Sequence, residues 1–145
     1  MEAINKIKEG IDSVLSSWDE IIWDNAKKSE DLAVSMNQKQ LESGELPTGQ
    51  NTPLYKPNAL KKKESTGRLF GDGIHWSLHD SGEWYRLMYM KKTLLGFEID
   101  TTSKTRSLLK DEPERFMGLS ENNELIFINK IYEPIMVDMI SIILK

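Results

Sequence analysis

Apolar residues in the first forty positions recur at the period of one helix face. The spacings are threes and fours, and they connect Ile4, Ile7, Ile11, Val14, Leu15, Trp18, Ile21, Ile22, Leu32, Ala33 and Met36. Ser43-Gly44 is a typical C-cap signal. The pattern predicts an N-terminal helix over 1–43, continuous or nearly so from about residue 3 to about residue 42. Such a helix is roughly 60 Å long, whereas a compact domain of this size is ~26 Å across. It therefore either breaks near 25–29 or packs against another subunit, and we expect it to contact another chain.

Residues 44–73 lose this periodicity. They hold three of the five prolines and five of the nine glycines in the chain, so neither a helix nor a strand can run through the whole segment. The prediction is a long irregular loop that depends on neighbouring subunits for its order.

Residues 74–100 have the alternating pattern of β-structure. Ile74, Trp76 and Leu78 alternate with polar residues, 80–82 supply a turn, and apolar runs follow on both sides of a second turn at 93–96. The pattern predicts a small antiparallel sheet of about three strands.

A polar linker over 101–118 leads to a second helical pattern over 119–145. Ser120 is a good N-cap, with Glu121 and Glu124 near the positive end of the helix dipole. The apolar stripe comprises Leu125, Ile128, Ile131, Tyr132, Ile135, Met139, Ile142 and Ile143. Pro134 lies inside the stripe and predicts a kink or a split. The whole chain, 1–145, is therefore predicted to be a single α+β domain.

Composition limits the chemistry of this chain. Its 145 residues include no cysteine and only two histidines, which excludes disulfides, thiolate metal sites and a cysteine nucleophile. No P-loop or GxSxG motif is present. No apolar run approaches the ~18–20 residues of a membrane span, and the first ten residues lack the pattern of a signal peptide. We expect a soluble protein made inside a cell, with no membrane contact, cofactor, metal or catalytic residues, and so not an enzyme.

The two histidines and the nearby carboxylates do not form an evident site. His75 and His79 are four apart in a β pattern, which places them about 13 Å apart and prevents joint ligation of a metal. The carboxylates of this region show no spacing that singles out an acid–base pair, and surface or turn roles are expected for Asp72, Asp80, Glu83, Glu98 and Asp100.

Charge is distributed unevenly along the chain. Residues 56–92 carry eight basic and four acidic side chains, whereas the whole chain has a net charge of −4. The basic segment comprises Lys56, Lys61, Lys62, Lys63 and Arg68, and contacts between these side chains and phosphates would be favourable. The alternatives are a solvated loop and a contact with an acidic protein. No helix-turn-helix or zinc finger is present, so sequence-specific binding to DNA is not expected.

Aromatic and apolar residues at the edge of the first helical stripe are candidates for subunit contacts. The predicted subunit interface comprises Trp18, Ile22, Trp23, Leu54 and Tyr55. The alternative for the two tryptophans is one end of an ordinary core.

Several short motifs occur in a fixed order after the N-terminal helix. They are Pro53-Leu54-Tyr55, the lysines at 61–63, LHDSGEWY at 78–85, GFEI at 96–99 and GLSENN at 118–123. This order resembles small virion-assembly proteins of tailed bacteriophages, especially phages of Bacteroidetes hosts, over most of residues 35–130. It is more loosely similar to tail-completion and head–tail-connector families, although DSG stands here where those families often have a TG turn.

The resemblance implies a non-enzymatic structural protein of the virion. Such a protein forms a homo-oligomeric ring at the neck, head–tail connector or tail, next to portal, neck or tail proteins and close to packaged DNA. In such a ring we expect the basic segment, Lys56, Lys61, Lys62, Lys63 and Arg68, to face a DNA channel. It is made in the cytoplasm of the host bacterium. The alternative function is a nucleic-acid-binding accessory or regulatory protein that uses residues 56–68.

Overall fold

The computed structural model describes residues 2–94, 96–109 and 113–145, and the fold is α+β. The described residues form six α-helices and a two-stranded sheet. The helices are α1 (Glu2–Ser16), α2 (Trp18–Lys28), α3 (Glu30–Glu42), α4 (Pro57–Ser65), α5 (Glu83–Arg86) and α6 (Glu121–Ile143). The strands are β1 (Met88–Thr93) and β2 (Gly96–Thr101), and two 3₁₀ turns, Lys104–Leu109 and Pro113–Phe116, lie in the predicted linker. Residues 110–112 of that linker lie outside the described residues.

The predicted N-terminal helix is three helices, with breaks at Ser17 and Ser29. The break at Ser29 confirms the alternative of a break near 25–29, whereas the break at Ser17 was not predicted. At 100° per residue, Ile21 and Ala33 would lie about 120° apart around a straight helix. Both are buried in the same core, so the chain has to change direction between them. The predicted end at Ser43-Gly44 is confirmed. Gly44 has φ +76°, and its N–H and that of Glu45 donate to the carbonyls of Leu41 and Gln40, which is a Schellman motif.

The segment 44–73 is not irregular throughout, because α4 occupies its middle. Pro57 stands at the start of α4, where a missing N–H costs nothing and the fixed φ favours a helix. Leu46 and Thr52 are buried, which ties the first part of the segment to the rest of the chain. Ordering by a neighbouring subunit stays a prediction.

The sheet has two strands rather than about three. They pair antiparallel, with Met90 opposite Ile99 and Thr93 opposite Gly96 around the predicted turn; residue 95 in that turn lies outside the described residues. The stretch 74–78 forms only an isolated bridge between Leu54 and His75. Leu78 has φ +57°, which ends any extended run there, and residues 83–86 form α5 instead of a strand.

Helix α6 continues through Pro134 as one helix, so the proline does not split it. The kink at Pro134 stays a prediction. Phe127, Ile131 and Ile135 are buried on one side of α6 and hold both halves against the core. Pro134 itself is exposed. Ser120 is the N-cap residue as predicted, but its side chain makes no capping hydrogen bond.

Two adjacent clusters form the core. The first joins α1, α2, α3, the sheet and α6 through Val14, Ile21, Ala26, Ala33, Met90, Ile99, Phe127, Ile131 and Ile135. The second packs the end of α3, α5 and the second 3₁₀ turn through Leu41, Leu46, Trp84, Tyr85, Met88 and Phe116.

Candidate functional site

Helix α1 carries an apolar stripe that the rest of the chain leaves uncovered. The exposed fractions are 70% for Ile4, 46% for Ile7, 44% for Ile11 and 68% for Leu15, and Trp18 at the start of α2 is 41% exposed. At 100° per residue the four positions on α1 fall within an arc of about 80°. We call them the α1 stripe. Among the described residues of the first two turns of α1, none is buried.

The edge next to the α1 stripe packs against α6. Gly10 and Val14 are the buried residues of α1. A Cβ placed on Gly10 would lie 2.6 Å from Cα of Ile143, so the two helices approach to backbone contact there. Because any other side chain at position 10 would clash, glycine permits this close packing.

Helix α6 has a second, partly uncovered apolar stripe. Leu125, Ile128 and Tyr132 are 56%, 44% and 60% exposed. Met139 and Ile143 continue the same face toward the C-terminus, and both pack against the core that includes Val14. We call Leu125, Ile128 and Tyr132 the α6 patch. Its members lie about 90° from Phe127, Ile131 and Ile135 on average around the helix, so the apolar arc of α6 is too wide for the core alone.

The α1 stripe and the α6 patch are suited to bind protein. Contiguous exposed apolar surface on a small domain marks an interaction site. None of the described helices is long and apolar enough to cross a membrane. Burial of such residues against a partner would be favourable by about 25 cal/mol per Å² of apolar surface.

The residues predicted at the subunit interface divide into two groups. Trp18 and Leu54 are exposed. Ile22 and Trp23 are half-buried against the first core cluster, and Lys27 Nζ lies 5.8 Å from the Trp23 ring centroid. Tyr55 is half-buried beside Lys63, whose Nζ lies 5.2 Å from the ring centroid. Their role at an interface stays a prediction.

The predicted basic segment also divides into two groups. Lys63 and Arg68 both reach the carboxylate of Asp80, at 3.2 and 3.5 Å. These ion pairs fasten the second half of the segment to the turn at 80–82. Lys56, Lys61 and Lys62 are exposed, with Lys61 and Lys62 next to each other on α4. Two of the five predicted residues therefore bind the Asp80 carboxylate, and the other three lie at the surface.

A charged cluster lines a cavity of about 410 Å³ beside β2. Lys91 Nζ lies 2.9 Å from Asp100 and 3.3 Å from Glu98, while Arg106 lies 3.2 Å from Asp100 and 2.9 Å from Glu114. Burial acts to raise the pKa of Asp100, but hydrogen bonds from Lys91 and the Thr101 N–H, with the charge of Arg106, hold that pKa below its usual value. Hydrogen bonds to Asp100 and Glu98 raise the pKa of Lys91. The charges of this cluster are paired with one another.

The other carboxylates and the histidines of this region also have structural partners. Glu83 accepts hydrogen bonds from the Ser103 hydroxyl and the Lys104 N–H. Asp72 pairs with His75, and the His79 ring stacks between Phe70 and Tyr85. Within the described ranges, no group of three or more potential ligands is placed to hold a metal ion.

Sequence analysis missed the α6 patch and the buried polar residues of α3. The predicted C-terminal stripe leaves out the buried Phe127 and places Leu125 and Ile131 on one face, although these two residues lie about 120° apart around a helix. That spacing was the available signal. No comparable signal marks Asn37 and Gln40, which are buried and hydrogen-bonded to the backbone at 116–120. In comparisons with known proteins, no family model, curated protein or solved structure matches this chain.

Proposed function

We propose that this protein is a non-enzymatic structural subunit of a tailed-phage virion that assembles as a ring at the neck, head–tail connector or tail. The observation that carries the assembly role is the uncovered α1 stripe, with exposed fractions of 44% to 70%. The proposed location in a phage particle rests on the resemblance in motif order described above. A surface of this kind is stabilised when a partner protein covers it.

The arrangement of the apolar surfaces supports a ring. The α1 stripe and the α6 patch are different surfaces on different helices. Contacts between unlike surfaces of identical subunits generate rings when the rotation closes and filaments when it does not. A subunit with one donor surface and one acceptor surface fits that scheme.

The polar side chains support a structural role for a second reason. Asp72, Asp80, Glu83 and Asp100 all bind neighbouring groups of the same chain. Lys91 and Arg106 neutralise most of the charge at the cavity beside β2. These contacts fix loops and turns, so the carboxylates serve the fold.

The alternative, a nucleic-acid-binding accessory protein, draws support from Lys56, Lys61 and Lys62. These side chains are exposed and near one another in sequence, as non-specific phosphate contacts require. Lys63 and Arg68 are engaged by Asp80, which reduces the charge available to phosphate. In a ring, the same lysines can line the channel, so this observation is compatible with the first proposal.

The composition of purified phage particles tests the proposal. We expect the chain in mature virions at a fixed multiple per particle, with a ring at the neck or tail in negative-stain images labelled by an antibody to this protein. Absence of the chain from purified virions would overturn the proposal. A salt-sensitive association with free DNA in infected cells would favour the accessory protein instead.

A further inference from the structure

Helix α6 presents an apolar stripe that this chain covers only in part, apart from the exposed Ile126, Val137 and Ile140 on another side of the helix. Leu125, Ile128, Tyr132, Met139 and Ile143 fall within an arc of about 60° at 100° per residue. Met139 and Ile143 are partly buried where α1 packs. The α6 patch extends that contact surface toward the N-terminus of α6, with residues of the same apolar type.

Helix α1 in turn uses only one edge of its apolar arc within the chain. Gly10 and Val14 face α6, while the α1 stripe next to them stays exposed. The molecule therefore has an unused helix face on α1 and an unused segment of a surface that already accepts α1.

We infer that the α1 stripe of one copy packs on the α6 patch of a second copy. This inference rests on the proposed assembly role and names the two surfaces that meet. The argument for a second copy is continuity, because the patch prolongs an interface that α1 makes inside the chain. The contact joins unlike surfaces, so each copy offers α1 to one neighbour and accepts α1 from another.

Charges beside the two surfaces are compatible with this pairing. Lys8 borders the α1 stripe, Glu124 borders the α6 patch, and both are exposed. An ion pair between them would add little to affinity, since exposed pairs contribute ~0–1 kcal/mol. Opposite charges at the edge would instead favour the correct orientation of the two helices.

Disulfide trapping tests the inference directly, because the chain has no cysteine of its own. One chain carries Ile7→Cys and a second, size-tagged chain carries Ile128→Cys. Both positions are exposed, so the folded state is expected to persist and can be checked by circular dichroism. A disulfide forms only where the two Cα atoms come within about 7 Å. A second pair, Ile11→Cys with Tyr132→Cys, samples another point of the same contact.

We expect mixed disulfides between the differently substituted chains, at least tenfold above those of a control that mixes Ile7→Cys with Ala59→Cys on exposed α4. Disulfides mainly between two Ile7→Cys chains would overturn the inference in favour of a symmetric α1–α1 contact. Absence of mixed disulfides from both pairs would also overturn it. If wild-type chains still formed oligomers in that case, or entered virions, the proposed structural role would stand without this pairing of surfaces.

Discussion

Gly10 is the residue on which the contact between α1 and α6 depends most directly. Its missing side chain leaves room for the backbone of Ile143, and an added Cβ would lie 2.6 Å from Cα and 2.8 Å from O of that residue. Both atoms of Ile143 belong to the backbone, so the clash can be relieved only if the two helices move apart. Glycine inside a helix costs about 1 kcal/mol relative to alanine, and here the close approach offsets that cost.

We expect Gly10→Val to lower the free energy of unfolding by about 1–3 kcal/mol, the usual cost of overpacking. Ser13→Val is the matched control, because Ser13 is exposed on the same helix and the new side chain there meets no neighbour across the interface. Urea unfolding of the two variants measures the difference. Equal stability of the two variants would contradict the close packing of α1 on α6.

Asp72 holds the turn that leads into residues 74–78. Its Oδ1 accepts hydrogen bonds from the N–H groups of His75 and Ile74, and its Oδ2 lies 2.5 Å from His75 Nδ1. The His75 N–H, the His75 side chain and the Ile74 N–H lower the pKa of Asp72 from 3.8 to about 2. Because the folded pKa lies below the unfolded one, this stabilisation is present above about pH 4 and is lost as the pH falls toward 2.

We therefore expect a stability difference between the wild type and Asp72→Asn at pH 5 that shrinks as the pH is lowered to 2. Urea midpoints at several pH values provide the measurement. Asp12→Asn removes the same formal charge from the exposed surface of α1 and controls for general charge effects. A difference that stays constant over this range would show that ionisation of Asp72 does not stabilise the fold.

At the scale of elements, helix α3 fixes the start of α6. Gln40 Oε1 accepts hydrogen bonds from the Ser120 N–H at 2.7 Å and from Asn123 at 3.0 Å, while its Nε2 donates to Gly118 O at 3.2 Å. Gln40 is only 2% exposed. It ties Ser120 and Asn123 at the start of α6 to α3, and it sets the direction in which α6 and its apolar patch leave the core.

We expect Gln40→Ala to cost about 2 kcal/mol, since each buried polar group left without a partner costs ~1–3 kcal/mol. Lys39→Ala, at the adjacent exposed position, is the control and should change stability by less than about 0.5 kcal/mol. Urea unfolding measures both, and hydrogen exchange should show faster exchange in the first turn of α6. Equal protection from hydrogen exchange at the start of α6 in the two variants would contradict the role of Gln40 in holding that end of the helix.

The basic helix α4 gives a prediction of a different kind. Changing Lys61, Lys62 and Lys63 to Glu in the assembled ring is expected to impair DNA retention in a salt-dependent way, because like charges around a channel act together. Lys63→Glu would also place two carboxylates together at Asp80. The double change Lys61→Glu/Lys62→Glu is therefore the cleaner test, and it should leave subunit folding intact. Normal DNA retention by the double variant at low and high salt would exclude a channel-facing role.

The elements differ in how far their sequence determines them. The helix end at Ser43-Gly44, the turn at 93–96 and the start of α6 follow from local signals such as caps and turns, and they are as predicted. The break at Ser29 arises from tertiary packing, because one core must receive both Ile21 and Ala33. Residues 74–78 have the alternation of a strand but lack a regular partner, since only Leu54 bridges to His75.

At the scale of the whole molecule, the apolar residues exceed what one small core can cover. The apolar stripe on α1 was foreseeable from its strong period, although the argument from helix length fails because the segment is three helices. The α6 patch was not foreseeable, because how much of the apolar surface of α6 is covered by α1 depends on where these two helices, distant in sequence, cross. The two surfaces together give the molecule its candidate function.

The mass of the protein in solution tests the central claim most directly. By sedimentation equilibrium, the account predicts a wild-type assembly at a multiple of the 16.7 kDa chain mass, and a folded monomer for Ile4→Ser/Ile7→Ser/Ile11→Ser. These three side chains are exposed, so their replacement should leave the fold intact. A wild-type protein that stays at 16.7 kDa at all concentrations, or a triple variant that assembles as the wild type does, would contradict the account.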